Sequence, residues 1–386
     1  MKKILLFPLS NVLGHVSRTL AIAEEFDARG DEVHVVLSRA YGYLKELLPP
    51  RIRILRSPEM YAVRSGAAGL IASYEDSPPS DEKNLRRSGM LSAWDLRRRG
   101  RRMTQMLEHD TSIVEQVRPD ALITDYRFTP ALMKNVRHGQ VFHIANILGY
   151  PSFFRRVKGT LPFPLDSGHI LVPGIKEIEY GNDSVPSGGP DTESMCGVVR
   201  WGGWARMNPN SPACPRSNIF LFFGSTGGSG RIVPWLLRHL SRRYLISGVA
   251  RLCDGDSTHA GFMASKGNLG DFLTRTELAL CHGGHGTVME CIRNAVPMVI
   301  FPRNIEQLEI GRQVERLGLG IVMKRAYPQL AASELADAVE FVRTDPRIQA
   351  NAESYASLLR NGNGAREAVS AVHRSLAGQP LTDARE

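Results

Sequence analysis

The sequence predicts an α/β protein of two doubly wound, Rossmann-like domains, and three observations carry that prediction. A chain of 386 residues is longer than one ordinary hydrophobic core organises. Residues 3–38 read as apolar run, amphipathic stretch and second apolar run, a βαβ opening. The stretch from Leu278 to Gly320 repeats the plan as strand, glycine-rich turn, helix, strand, acidic turn and helix.

Taken in order, Lys3–Leu9 is a buried-type strand, Asn11–His15 a turn, Ser17–Arg29 a helix closed by Gly30, and Glu32–Ser38 the next strand. A dinucleotide fingerprint is missing, because the first turn lacks GxGxxG and the second strand ends in Ser38-Arg39 rather than an acid. His15 follows the carboxyl end of the first strand, where an imidazole can move a proton near neutral pH. The plainer alternative is a loop histidine that caps the helix; Arg18 or Ser17 could reach a ligand phosphate, with helix surface as the plainer account. Ala121–Thr124 is a buried strand ending in Asp125. Parallel strands deliver their carboxyl ends to one edge, so Asp125 can meet His15; an ordinary strand-end turn residue is the alternative. Asn11 and Asn146 are the candidate acceptor-side residues.

Tyr41–Asp110 is the least regular part of this half. It holds the loop signal Ser77-Pro78-Pro79-Ser80-Asp81 and a run with five arginines between Arg97 and Arg102. The run suits an acidic acceptor or a peripheral membrane contact; nucleic acid is disfavoured, since Trp94 is the one stacking-size aromatic beside it. Prolines and glycines cluster between Gly149 and Pro215, which places the domain crossover near residues 200–217. Trp201 and Trp204 there suit packing at the joint or stacking on an acceptor.

Asn218–Phe223 opens the second sheet and leads into Gly224-Ser225-Thr226-Gly227-Gly228, a turn with hydroxyl and backbone donors. Leu245–Gly248 and Leu278–Cys281 are further strands. His282-Gly283-Gly284-His285-Gly286-Thr287 then forms a turn whose bare backbone can approach a ligand, and Val288–Asn294 is the helix it delivers. A helix N-terminus favours phosphate without any metal. Pro297–Phe301 is a strand, and Glu306-Gln307 beyond its carboxyl end suits vicinal sugar hydroxyls. Cys281, His282 and His285 lack a close fourth ligand, so no metal is expected. Gln329–Thr344, Pro346–Leu359 and Ala365–Leu376 are the closing helices.

Composition bounds the function classes. The hydrophobic content of 42% and charged content of 23% are those of a globular protein. A net charge of +9 is compatible with acidic acceptors, anionic surfaces and nucleic acid, and a phosphate-bearing ligand alone also tolerates it. Five unpatterned cysteines exclude a disulfide framework and fit a reducing cytoplasm. The opening MKKILLFPL stops short of an export segment, and no run reaches the roughly 18 apolar residues of a membrane span. A cytoplasmic location follows as the expectation, with membrane association left open.

HGGxGT at His282–Thr287, Glu290 eight positions after His282, and Glu306-Gln307 beginning twenty-four positions after it resemble the donor signature of the UDP-glycosyltransferases, the GT-B enzymes of family one. Gly14-His15 resembles the family's early Gly-His, and Asp125 with Pro130-Ala131 its DxxxxPA segment. The resemblance implies two Rossmann-like domains facing each other across a cleft. They would be an acceptor domain over 1–200, a linker over 201–217, a nucleotide-sugar domain over 218–364, and a helix and tail over 365–386 returning to the first domain. It implies His15 as base, oriented by Asp125. Gly224, Ser225, Thr226, His282, Gly283, Gly284, Gly286 and Thr287 would hold the donor diphosphate, Glu290 the ribose, and Glu306 and Gln307 the sugar. The implied activity is metal-independent, inverting transfer of a hexose from a nucleotide sugar, UDP before dTDP, to a hydroxyl of a small natural-product acceptor, with no further cofactor. The family's Trp-x-Pro-Gln segment is absent at Gly267–Leu273, which leaves the base of the nucleotide open. Alternatives are a peripheral-membrane transferase acting on a lipid or lipid-linked acceptor, and a nucleotide-sugar epimerase or hydrolase.

Overall fold

The computed structural model describes residues 1–8, 13–57, 100–125, 140–145, 169–179, 193–202, 217–223, 232–249, 262–265, 269–303, 305–325, 329–360 and 362–379. These fall into two compact units. The first holds the described residues up to 202 together with 363–379, and the second those from 217 to 362.

Among the described residues the first unit is built on seven strands: β1 (Lys3–Pro8), β2 (Glu32–Ser38), β3 (Arg53–Ser57), β4 (Ala121–Asp125), β5 (Val141–Ile144), β6 (His169–Val172) and β7 (Glu193–Met195). All pair in parallel in the order β3-β2-β1-β4-β5-β6-β7. The order reverses between β1 and β4, where Pro8 stands opposite Asp125. Ile4–Phe7 and Leu122–Ile123 are fully buried, as parallel strands covered on both faces require. The helices are α1 (Leu13–Ala28), a 3-10 segment (Arg39–Leu47), α2 (Gly100–Val117) and the single turn α3 (Lys176–Glu179).

The second unit carries β8 (Ser217–Phe222), β9 (Ile246–Val249), β10 (Phe262–Ser265), β11 (Thr276–Cys281), β12 (Met298–Ile300) and β13 (Gly320–Val322). Their order, β10-β9-β8-β11-β12-β13, is again parallel and reverses between β8 and β11. With them run α4 (Ile232–Leu240), α5 (Leu269–Leu273), α6 (His285–Arg293), α7 (Ile305–Arg316), α8 (Ala332–Thr344) and α9 (Pro346–Leu359). Leu278, Leu280 and Val299 from the sheet pack with Leu236 from α4 and Leu335 and Val339 from α8. Truncating one of these, as in Leu280→Ala, would cost about 2–5 kcal/mol.

The last helix, α10 (Gly364–Leu376), packs against α1 and β7 in the first unit. Asn363 caps it by accepting from the Arg366 N–H at 3.2 Å. Arg29 at the end of α1 reaches the Arg366 carbonyl and Ser370 Oγ, each at 3.0 Å, and His373 Nε2 meets Asp31 Oδ2 at 2.7 Å.

Three local expectations are corrected. Helix α1 begins at Leu13, so Gly14 and His15 lie in its first turn rather than in the preceding loop. Helix α6 begins at His285, inside the glycine-rich motif, because extended Gly284 serves as its N-cap and leaves a turn of only His282–Gly284. The supposedly irregular Tyr41–Asp110 segment contains β3 and the start of α2, which takes in Gly100, Arg101 and Arg102. Arg97–Arg99, Asn11, Asn146, Trp204 and Gly224–Thr226 lie outside the described residues.

Candidate active site

The first unit assembles its chemistry at the β1/β4 reversal. Asp125 ends β4 with no solvent exposure, and the first two turns of α1 carry its partners His15 and Arg18. Residues three apart on a helix share a face, so both side chains reach the same carboxylate. His15 Nδ1 lies 2.7 Å from Asp125 Oδ1. Arg18 donates from Nε to Oδ2 at 2.8 Å and from Nη2 to Oδ1 at 2.6 Å.

A carboxylate oxygen only accepts, so the 2.7 Å contact puts the ring proton on Nδ1 and leaves the lone pair on Nε2. The 3.0 Å separation of Arg18 Nη2 and His15 Nδ1 is then two donors converging on Oδ1. Burial alone would raise the Asp125 carboxyl, but the Arg18 charge and the hydrogen bonds from His15 and Arg18 outweigh it and hold the group below its usual value. Asp125 is therefore a fixed anion at neutral pH. The His15–Asp125 pairing joins two residues foreseen from the sequence; Arg18 was read as helix surface and is instead the carboxylate's second partner. The available signal was its spacing of three from His15.

Next to Asp125 along the strand, Thr124 Oγ1 and His143 Nδ1 on β5 form a buried pair at 2.8 Å. Trp201 is 2% exposed and donates to Glu24 Oε1 on α1 at 3.0 Å, so it packs inside this unit and offers no stacking face.

The second unit assembles its candidates at the β8/β11 reversal. His282 follows β11 directly, with Nδ1 3.4 Å from the Phe222 carbonyl of β8. Gly283 has φ +80°, and a Cβ there would come 2.7 Å from Ile300 Cγ2 and 3.2 Å from the Gln307 carbonyl oxygen. A Cβ on Gly284 would lie 2.5 Å from His282 Nε2, so the imidazole rests against the N-cap of α6. This cap makes no side-chain hydrogen bond and the first turn of α6 carries no acid, so the positive end of the helix dipole suits an anion. Gly286 lies in that turn, Thr287 is buried in it, and Glu290 follows one turn later with Asn294 Nδ2 3.5 Å from its Oε2.

Glu306 and Gln307 open α7, and Gln307 Oε1 accepts from the Arg303 N–H at 2.8 Å. His282 is pushed down to about 4, first by burial and then by the Arg303 charge, so it is neutral at pH 7. Burial raises the Cys281 thiol to about 12, which keeps it protonated. Among the described residues no group of three or more His, Cys, Asp and Glu side chains is arranged to hold a metal ion. Nor, among them, is any helix long and apolar enough to cross a membrane.

Residues 263–372, which include this second site, match the family model described as erythromycin biosynthesis protein CIII-like, C-terminal domain. Over the whole fold, the spinosyn rhamnosyltransferase SpnG solved with thymidine diphosphate is similar at a TM-score of 0.62 and 17% identity, covering 96% of this chain and 100% of that one. The fold is GT-B. This GT-B chain is also 32% identical over 108 residues to the NDP-glycosyltransferase YjiC of Bacillus licheniformis, covering 28% of the chain and 26% of that relative. To the demethyllactenocin mycarosyltransferase of Streptomyces fradiae it is 29% identical over 109 residues, covering 28% of the chain and 23% of the relative. The match thus spans about a quarter of the length of these curated relatives.

Proposed function

We propose that the chain is an inverting glycosyltransferase that moves a hexose from a nucleoside-diphosphate sugar to a hydroxyl of a small, natural-product acceptor. The observation that carries this reading is the 2.7 Å contact between His15 Nδ1 and the buried Asp125 carboxylate. It leaves Nε2 as the base. In the reaction His15 Nε2 takes the acceptor's hydroxyl proton while that oxygen attacks the anomeric carbon. The bond from the anomeric carbon to the phosphate oxygen breaks, and the nucleoside diphosphate leaves with the electron pair. Asp125 stabilises the imidazolium that results.

The N-terminus of α6, the His282–Gly284 turn and Thr287 receive the departing diphosphate, together with Gly224, Ser225 and Thr226. Glu290 takes the ribose, and Glu306 and Gln307 take hydroxyls of the transferred sugar. The likeness to the mycarosyltransferase and to SpnG supports a natural-product acceptor, and the thymidine diphosphate bound to SpnG supports a thymidine nucleotide as one candidate donor.

The test is turnover of UDP- and dTDP-hexoses with a panel of hydroxylated aglycones, the product's anomeric configuration being read by NMR. An α-linked donor should yield a β-glycoside, and His15→Ala should yield none. A product of retained configuration, or an active His15→Ala, contradicts the reading.

A further inference from the structure

We infer that Arg303 is the cationic ligand for an anionic oxygen of the donor, a specificity-determining residue in the second unit's site. The inference rests on the nucleotide-sugar reading above. Arg303 follows β12 by three residues, after Phe301 and Pro302, at the carboxyl edge of the sheet. Its guanidinium carbon stands 5.4 Å from the ring centroid of Phe223, the residue that follows β8. Strands β8 and β12 flank β11 and are therefore about 9.5 Å apart. The Phe223 ring also packs 5.8 Å from that of Phe301, so Phe223, Phe301 and the Arg303 guanidinium gather at the carboxyl edge that His282 shares.

His282 is the neighbouring titratable group, and its contacts are those of a ring that donates from Nδ1. A ring nitrogen beside a carbonyl oxygen must donate, so Nδ1 holds the proton and Nε2, resting against Gly284, is an acceptor in the neutral ring. Depression of His282 by burial and by Arg303 agrees with that state. Among the described residues the Arg303 guanidinium, which does not deprotonate, places a permanent positive charge at this edge. Phe223 presents an aromatic face to it, and the bond from the Arg303 N–H to Gln307 Oε1 ties its backbone to the candidate sugar-binding side chain. A diphosphate and a sugar carboxylate both offer the anionic oxygens a guanidinium recognises.

Calorimetry on the full chain separates the sources, comparing wild type, Arg303→Gln and Arg303→Lys at two salt concentrations. The ligands are uridine and thymidine, their diphosphates, the corresponding NDP-hexoses and an NDP-hexuronate. The expected result is about a tenfold or larger loss of diphosphate affinity in Arg303→Gln, with a shallower salt dependence, unchanged nucleoside binding and partial rescue by lysine. A loss confined to the hexuronate assigns the cation to a sugar carboxylate. Equal affinities of Arg303→Gln and wild type for every ligand, or equal losses for nucleoside and diphosphate, overturn the inference. A wild type that binds no nucleotide overturns the nucleotide-sugar reading itself.

Discussion

The two units share a strand order that reverses beside the first strand of each sheet, yet the two reversal points carry opposite chemistry. In the first unit the edge holds a buried anion, Asp125, with two cationic or proton-bearing partners, Arg18 and His15. In the second it holds a neutral imidazole, two consecutive glycines and an uncharged helix start. On the proposed function, one edge holds and moves a proton and the other receives an anion. A parallel sheet brings strand ends to one edge whatever their sequence, so the residues at those ends decide which chemistry results.

The comparison breaks most sharply at Asp125. Asp125→Asn keeps the shape but removes the charge that fixes the His15 proton on Nδ1. Turnover should fall by about 10³-fold while nucleotide affinity stays near wild type, as steady-state kinetics and calorimetry would show. A loss of affinity instead would mean that the two edges are not separate in function.

Arg18→Gln is the next largest effect and falls mainly on stability. It leaves Asp125, with no solvent exposure, short of its guanidinium partner. Denaturant unfolding should show a loss of about 3 kcal/mol, while His15 keeps its bond to Oδ1 and turnover falls less than in Asp125→Asn. A neutral effect on stability would mean that His15 alone holds the carboxylate.

The smallest effect is a pH dependence from the second edge. His282 is lowered from 6.5 to about 4 in the folded chain, so between those values the unfolded chain binds the proton more readily. Its contribution is therefore present above pH 6.5 and is lost as pH falls to about 4, on the order of 2 kcal/mol after allowing for the solvent that reaches the ring. His282→Asn should flatten the stability profile over that window. Asp125, also depressed, contributes above its ordinary value of 3.8 and loses that contribution at lower pH.

How much of this was legible depended on sequence distance. Most of the second site, from His282 to Gln307, lies within one contiguous stretch, and its glycines have a local cause: Gly283 meets Ile300 and the Gln307 backbone, and Gly284 meets His282. Local pattern even overextended the turn, because Gly286 and Thr287 look like loop residues yet sit in the first turn of α6. The first site joins residues 107 and 110 positions apart, so it appears only when β1 and β4 pair. His15 and Asp125 were visible as strand-end residues. Arg18 was not, since an arginine on an amphipathic helix looks like surface until a buried carboxylate stands beneath it. Segment β3 and the start of α2 were missed because their neighbours up to Arg99 carry no clear periodicity.

The separation of the two edges is tested most directly by nucleotide affinity in two variants measured side by side. His15→Ala should bind the nucleoside diphosphate within about twofold of wild type and lose turnover. Gly284→Ala, which drives a methyl into the His282 ring, should weaken binding by about tenfold or more. If His15→Ala instead loses affinity as Gly284→Ala does, the division between a proton-moving edge and an anion-receiving edge is wrong.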